Sequence, residues 1–294
     1  MVSHDISVLA SGINNFPPLP TVAGRVMEIT ADPESSVQDL MKVVKADQSL
    51  TTMILKMANS PFFGLSRSVD SLRQALTILG FKEIRNLVLA RAVFDSFKNI
   101  GQGNKFEIQQ FWRHSFLCGL GAKIIGAELK WPGHDFFVAG LIHDIGKLIM
   151  HMTFPTEFSR TIEIAGPVKQ MAFKAEESIF GVTHDEVGMM LLKRWMFPES
   201  LIAAVGYHHR PQEAKVETRF SLVIHAADIV AHLDELLGDP QSESSPEGEY
   251  FDVDVVNLFR EHGFDLTDDA LKKILQTLAE QKEKESGLLK LFLP

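Results

Sequence analysis

Apolar residues recur at helical spacing along the whole of this chain. Leu50, Met53, Ile54, Met57 and Ala58 follow an i, i+3, i+4, i+7 pattern, and Leu72, Ala75, Leu76 and Leu79 repeat it. A stripe of this kind covers one side of a helix and needs a core to lie against. Shorter stripes stand at Val22, Val26, Ile29 and at Leu40, Val43, Val44. No convincing run alternates β-branched and polar residues with period two, so strands are not expected. Breakers divide the pattern at Asp32-Pro33-Glu34-Ser35-Ser36, at Ser60-Pro61-Phe62-Phe63-Gly64 and at Gly80. About five or six short helices, the last over 83–98, are therefore predicted before a Gly/Asn-rich joint at 99–104.

Longer helices are predicted beyond the joint. They cover 106–130, 134–152, 155–164 and 167–179, then a helix opened by a Thr183/Glu186 capping box and running to Trp195. Pro198 starts another, ending near His209, and 218–237 forms the next. The stretch 238–251 is acidic and rich in breakers, so it reads as a loop, and the tail 252–294 carries two more helices. The expected architecture is all-α. A helical N-terminal part over 12–100 packs on a helical bundle over 105–237, and 252–294 forms a C-terminal extension.

Composition narrows the function. The 294 residues are 45% apolar with a net charge of −9, enough apolar matter for a core and the wrong sign to grip a phosphate backbone. Nucleic acid is therefore not an expected partner. The single cysteine, Cys118, cannot form an internal disulfide and fits a reducing compartment. The first residues lack a basic stretch followed by an apolar one, and no apolar run reaches the ~20 residues that span a bilayer. A soluble, cytoplasmic protein without membrane contact is expected.

The chemistry lies in histidines and aspartates set among apolar residues. In Gly140-Leu141-Ile142-His143-Asp144-Ile145-Gly146-Lys147, the residues Gly140, His143, Asp144 and Lys147 share one face if the helix is continuous. A buried His-Asp pair is costly without a partner, and a divalent metal of the Fe, Mn, Zn or Mg type would supply one. Gly140, one turn earlier, permits a close approach. Further donors follow: His114 in mid-helix, His184 at a helix start, His208-His209 at a helix end, and Asp228 inside an apolar helix. His225 and His232 flank Asp228 at i−3 and i+4, with less to single them out. Walker-type, Gly-x-Gly-x-x-Gly, Cys-x-x-Cys and Gly-x-Ser-x-Gly motifs are absent.

The order His114, His143-Asp144, His184, His208-His209, Asp228 resembles the HD superfamily of metal-dependent phosphohydrolases, and most closely its HDOD branch. Gly188, Leu192, Trp195 and Pro198 follow His184 at the spacing of that branch. The N-terminal third is similar to it too, in Leu19-Pro20, Asp47, Ala58 to Gly64, and Ala75-Leu79-Gly80. The resemblance covers about residues 12–235. It implies an all-helical signalling or regulatory module of bacteria acting through another protein. By analogy with the related HD-GYP phosphodiesterases, it also implies two divalent metals bridged by Asp144. His114, His143 and Asp228 would complete one side, and His184, His208 and His209 the other. Asp144 would then be catalytic together with Lys147, which would offset the charge of a bound phosphoester or nucleotide. One departure is plain: the chain reads His209-Arg210-Pro211-Gln212-Glu213-Ala214, without the Gly-Tyr-Pro loop of the HD-GYP enzymes. For a regulatory module, the N-terminal helices are expected to pack over or beside the His/Asp face.

Overall fold

The computed structural model describes residues 18–32, 34–61, 68–98, 107–131, 135–165, 172–238 and 250–293. The Ser60–Gly64 turn beyond Pro61, the joint at 99–104 and most of the acidic loop lie outside them. The described residues are helical, with no strand among them. The N-terminal helices are α1 (Thr21–Ala31), α2 (Val37–Lys45), α3 (Gln48–Ala58) and α4 (Leu72–Phe97), which is non-helical at Gly80 (φ 82°, ψ 169°). Their starts follow local chemistry: Ser36, Asp47 and Ser71 each accept from the backbone three residues on. Because Gly80 breaks α4 into two helical segments, five described segments stand where five or six short helices are predicted.

The bundle follows as α5 (Ile108–Glu128), α6 (Asp135–Ile142), α7 (Ile145–Thr153), α8 (Pro155–Ala165), α9 (Ala172–Phe180), α10 (His184–Arg194), α11 (Glu199–Tyr207) and α12 (Thr218–Leu237). The tail adds α13 (Val253–Glu261), α14 (Asp268–Lys284) and the short α15 (Ser286–Leu289). Helix α5 is the central strut, packed on α6, α12 and α14. One apolar core runs from Ala23 to Phe292. Phe292 ties its parts together: it is fully buried, and its ring lies 6.0 Å from Phe94, 6.4 Å from Phe116 and 6.4 Å from Phe137.

One sequence expectation needs correction. The span 134–152 is not one helix: it breaks at His143-Asp144, with Asp144 (φ −94°, ψ 10°) standing immediately before α7. The N-terminal half packs on the helix that leads into His143-Asp144. It meets the bundle through α4 on α6, with Phe94 against Trp112 and Phe97 against Trp195. The stripes of α4 need apolar cover, and α6, buried from Phe136 to Ile142, supplies it. No helix of the described residues is long and apolar enough to cross a membrane.

Candidate metal centre

The break between α6 and α7 turns His143 and Asp144 inward together. Close glycine packing holds the joint in place. A Cβ at Gly140 would sit 2.7 Å from Gly119 Cα on α5, and one at Gly146 would sit 1.8 Å from the His184 carbonyl oxygen. Helices α5 and α10 therefore approach the joint at backbone distance, bringing His114 and His184 with them. His208 and His209 arrive from the end of α11, and Asp228 from the middle of α12.

The seven side chains meet in two connected groups. His114, His143 and Asp228 form one, with His114 Nε2 3.0 Å and His143 Nε2 3.6 Å from Asp228 Oδ1. His184, His208 and His209 form the other, with His184 Nε2 3.3 Å from His208 Nε2 and 2.9 Å from His209 Nε2. Asp144 stands between them. Its Oδ2 is 3.4 Å from His143 Nε2, and its Oδ1 is 3.1 Å from His184 and 3.7 Å from His208. Lys147 Nζ donates to Asp144 Oδ2 at 2.6 Å.

The outer nitrogens fix the rings. His143 Nδ1 donates to the Gly140 carbonyl at 2.7 Å, and His208 Nδ1 donates to the Val205 carbonyl at 2.8 Å. A carbonyl only accepts, so each of these rings aims the lone pair of Nε2 into the cluster. His184 is backed instead by a carboxylate, Glu176 Oε2, at 2.6 Å from Nδ1. Glu176 also accepts from the His184 backbone N–H at 2.9 Å. Glu176 escaped the reading from sequence, although its spacing of four from Phe180 puts it on the buried face of α9. His225 supports rather than joins: its Nδ1 donates to the His208 carbonyl at 2.7 Å. The predicted capping box forms, with Glu186 accepting from the Thr183 amide at 3.1 Å and the Thr183 hydroxyl also meeting Asp185.

Burial and neighbours split the charges. Burial opposes ionisation of Asp144, yet His143, Lys147 and His184 hold its carboxyl well below the usual range. Burial likewise opposes charge on His114 and His184, but Asp228 and Glu235 carry the first to about 9, and Glu176 and Asp144 the second to about 9. His208 is pushed down to about 3 by burial and by His143 and His184, and His209 falls with it.

The donor set fits a divalent metal. His143 Nε2 is buried without a hydrogen-bond partner, and imidazole nitrogens that face one another at 2.9 and 3.3 Å need a proton or a cation between them. Imidazole nitrogens around carboxylates are borderline-hard ligands suited to Fe, Mn or Zn.

This arrangement belongs to a known class of helical His/Asp proteins. The HDOD domain family matches residues 16–211, and the chain belongs to that family. Its fold is shared with an HDOD domain protein of unknown function from Geobacter sulfurreducens, at a TM-score of 0.73, 24% identity, and coverage of 99% of this chain and 100% of that one. It is shared as well with a Shewanella amazonensis protein provisionally described as a phosphohydrolase, at a TM-score of 0.71, 19% identity, and 97% coverage of both chains. In sequence, an uncharacterised protein of Treponema pallidum is 24% identical over 94% of this chain, which spans 52% of that relative's length. Ribonuclease Y of Desulfotalea psychrophila is 27% identical over 40% of the chain and 16% of its own length.

Proposed function

We propose that this protein is an HDOD signal-transduction module built around a pair of divalent metals, and that its output passes through contact with another protein. The observation carrying this reading is the convergence of His114, His143, Asp144, His184, His208, His209 and Asp228 from separate helices. In this reading Asp144 bridges, His114, His143 and Asp228 hold one ion, and His184, His208 and His209 hold the other. Several features favour regulation over turnover. His209 lies 4.9 Å from the Phe173 ring, Arg210 caps that ring at 5.1 Å, and Arg210 is tied to Asp185 at 3.2 Å. This covers the flank next to the paired histidines, where phosphoryl transfer would need room and an open coordination position. The net charge of −9 makes nucleic acid an unfavourable partner.

The second reading is a metal-dependent phosphohydrolase acting on a phosphoester or nucleotide. Lys147 favours it: the ammonium lies on the Asp144 carboxylate with its side chain 20% exposed, so it can meet an incoming phosphate. The metal pair, when bound, would supply an activated water and charge for the phosphoryl oxygens. Asp144 would position that pair, and Lys147 would hold the substrate's charge.

The test is elemental analysis of protein purified without chelators, followed by a phosphodiester and phosphomonoester screen. Bound metal with no hydrolysis above the metal-only background supports the regulatory reading. Hydrolysis abolished by Asp144→Asn overturns it in favour of the enzyme. Less than about 0.2 metal per chain, with no uptake on titration, removes both, because a structural or catalytic site of this donor count should fill at accessible concentrations.

A further inference from the structure

His114 stands between two sets of donors. Its Nε2 faces Asp228 Oδ1 at 3.0 Å, and its Nδ1 faces the other way, towards Glu235 Oε2 at 3.5 Å. The residue is 6% exposed, and Nδ1 is buried without a satisfied hydrogen bond. His232 lies against it with ring centroids 4.3 Å apart. His232 and Glu235 follow Asp228 at i+4 and i+7 on α12, so the helix presents all three on one side. Donor atoms of His114, His232 and Glu235 lie within 4.8 Å of one another, a grouping that shares only His114 with the sets around Asp144.

We propose that His114, His232 and Glu235 form an outer divalent-cation position beside the metal pair. The proposal rests on the metal reading above and extends it to residues outside that ligand set. The spacing suits a small ion: bonds of about 2.1 Å in a tetrahedron place ligands about 3.4 Å apart, close to the 3.5 Å between His114 and Glu235. His232 Nδ1 donates to the Asp228 carbonyl at 2.9 Å, which leaves its Nε2 lone pair for a ligand role. The side chains of His232 and Glu235 are 15% and 22% exposed, so this position has a solvent side for water ligands and for entry. Two imidazoles and one carboxylate suit Zn2+, Fe2+ or Co2+. Filled alone, the outer position takes His114 Nδ1 while Nε2–H donates to Asp228. Filled together with the inner one, it requires His114 to release its remaining ring proton to solvent and bridge as imidazolate.

The rival role for Glu235 is to accept from His114 Nδ1–H and orient the ring, with no cation of its own. Equilibrium dialysis against stepped free Zn2+, read by elemental analysis, separates the two. The chains compared are the wild type, His232→Ala/Glu235→Gln and Asp144→Asn, with circular dichroism as the check on folding. The wild type is expected to take up one equivalent more than the double variant, whose remaining equivalents keep their affinity, and Asp144→Asn is expected to keep the outer equivalent. Where the double variant does not fold, Glu235→Gln alone, nearly isosteric, serves in its place. Equal uptake by wild type and variant overturns the proposal while leaving the inner pair standing, and so does an Asp144→Asn chain that binds no zinc. No uptake by the wild type overturns the metal reading itself.

Discussion

Glu83 on α4 and Asp144 at the α6–α7 joint are equally buried carboxyls, each 2% exposed, and they ionise in opposite directions. Glu83 is pushed from 4.5 up to about 8, by burial first and by the charge of Asp135 second, and its oxygens have no hydrogen-bond partner among the described residues. Asp144 suffers the same burial but is held well below the usual range by His143, Lys147 and His184. Burial sets the cost of a charge, and the neighbours decide whether it is met. The N-terminal half buries an acid that stays neutral over much of the pH range. The bundle builds a charged carboxylate inside a ring of imidazoles, a donor set that fits a divalent metal.

Removing the charge from Asp144 should have the largest effect. Asp144→Asn is expected to abolish binding at the inner pair. It should also destabilise the metal-free chain by about 3–5 kcal/mol, because it leaves Lys147 and the charged imidazoles without their buried partner. Metal content and urea denaturation check both parts. Unchanged stability together with full metal content would erase the contrast with Glu83.

Glu83→Gln tests the other side through pH. A carboxyl whose pKa is higher in the folded chain than in the unfolded one binds extra protons when folded, so stability falls as pH rises from about 4.5 to about 8. Lys123, pushed down to about 8 by burial, adds the opposite slope above that point. The variant cannot ionise there. It should lose the share of the decline that Glu83 contributes and exceed the wild type near pH 8, by up to a few kcal/mol, while matching it near pH 5. Parallel stability curves would show that Glu83 is not the titrating group.

The parts of this contrast differ in how far the sequence exposes them. Period and breakers place most helices, since stripes such as Leu50 to Ala58 have one solution in water. The ordered His/Asp residues could be singled out because polar groups inside apolar stretches are rare without a reason. The break at His143-Asp144 was hidden, since nothing in Leu141-Ile142-His143-Asp144-Ile145 interrupts helical propensity. Tertiary packing of Gly140 on Gly119 and of Gly146 on His184 accompanies the turn there. Glu176 was equally hidden, because its role depends on which helix lies opposite α9. The docking of α4 on α6 is a further case, as two apolar stripes do not announce which surfaces they will choose.

Glu176→Gln should fall below these two in size. It keeps the shape behind His184 but removes the carboxylate charge that raises the basicity of the ring. Partners of this kind typically contribute about 10–100-fold to metal affinity. The expected result is weaker binding at the His184, His208, His209 side with near-normal occupancy at the His114 side, measured by stepwise metal titration. An unchanged affinity would mean that Glu176 serves only to hold the start of α10 through the His184 backbone N–H.

His225→Ala should have the smallest effect on metal, and it separates a ligand from a residue that merely stands near one. His225 precedes Asp228 by three residues on α12, so sequence position alone makes it a credible donor. In the structure its Nδ1 donates to the His208 carbonyl at 2.7 Å, and its ring lies 6.2 Å from Phe251. Loss of that hydrogen bond should cost about 1 kcal/mol of stability. It should weaken metal binding less than about tenfold, by loosening the backbone that carries His208 and His209. Metal titration of His225→Ala beside Asp144→Asn makes the comparison direct. Equal losses in the two would move His225 into the ligand set and show that the carbonyl contact is a secondary arrangement of its ring.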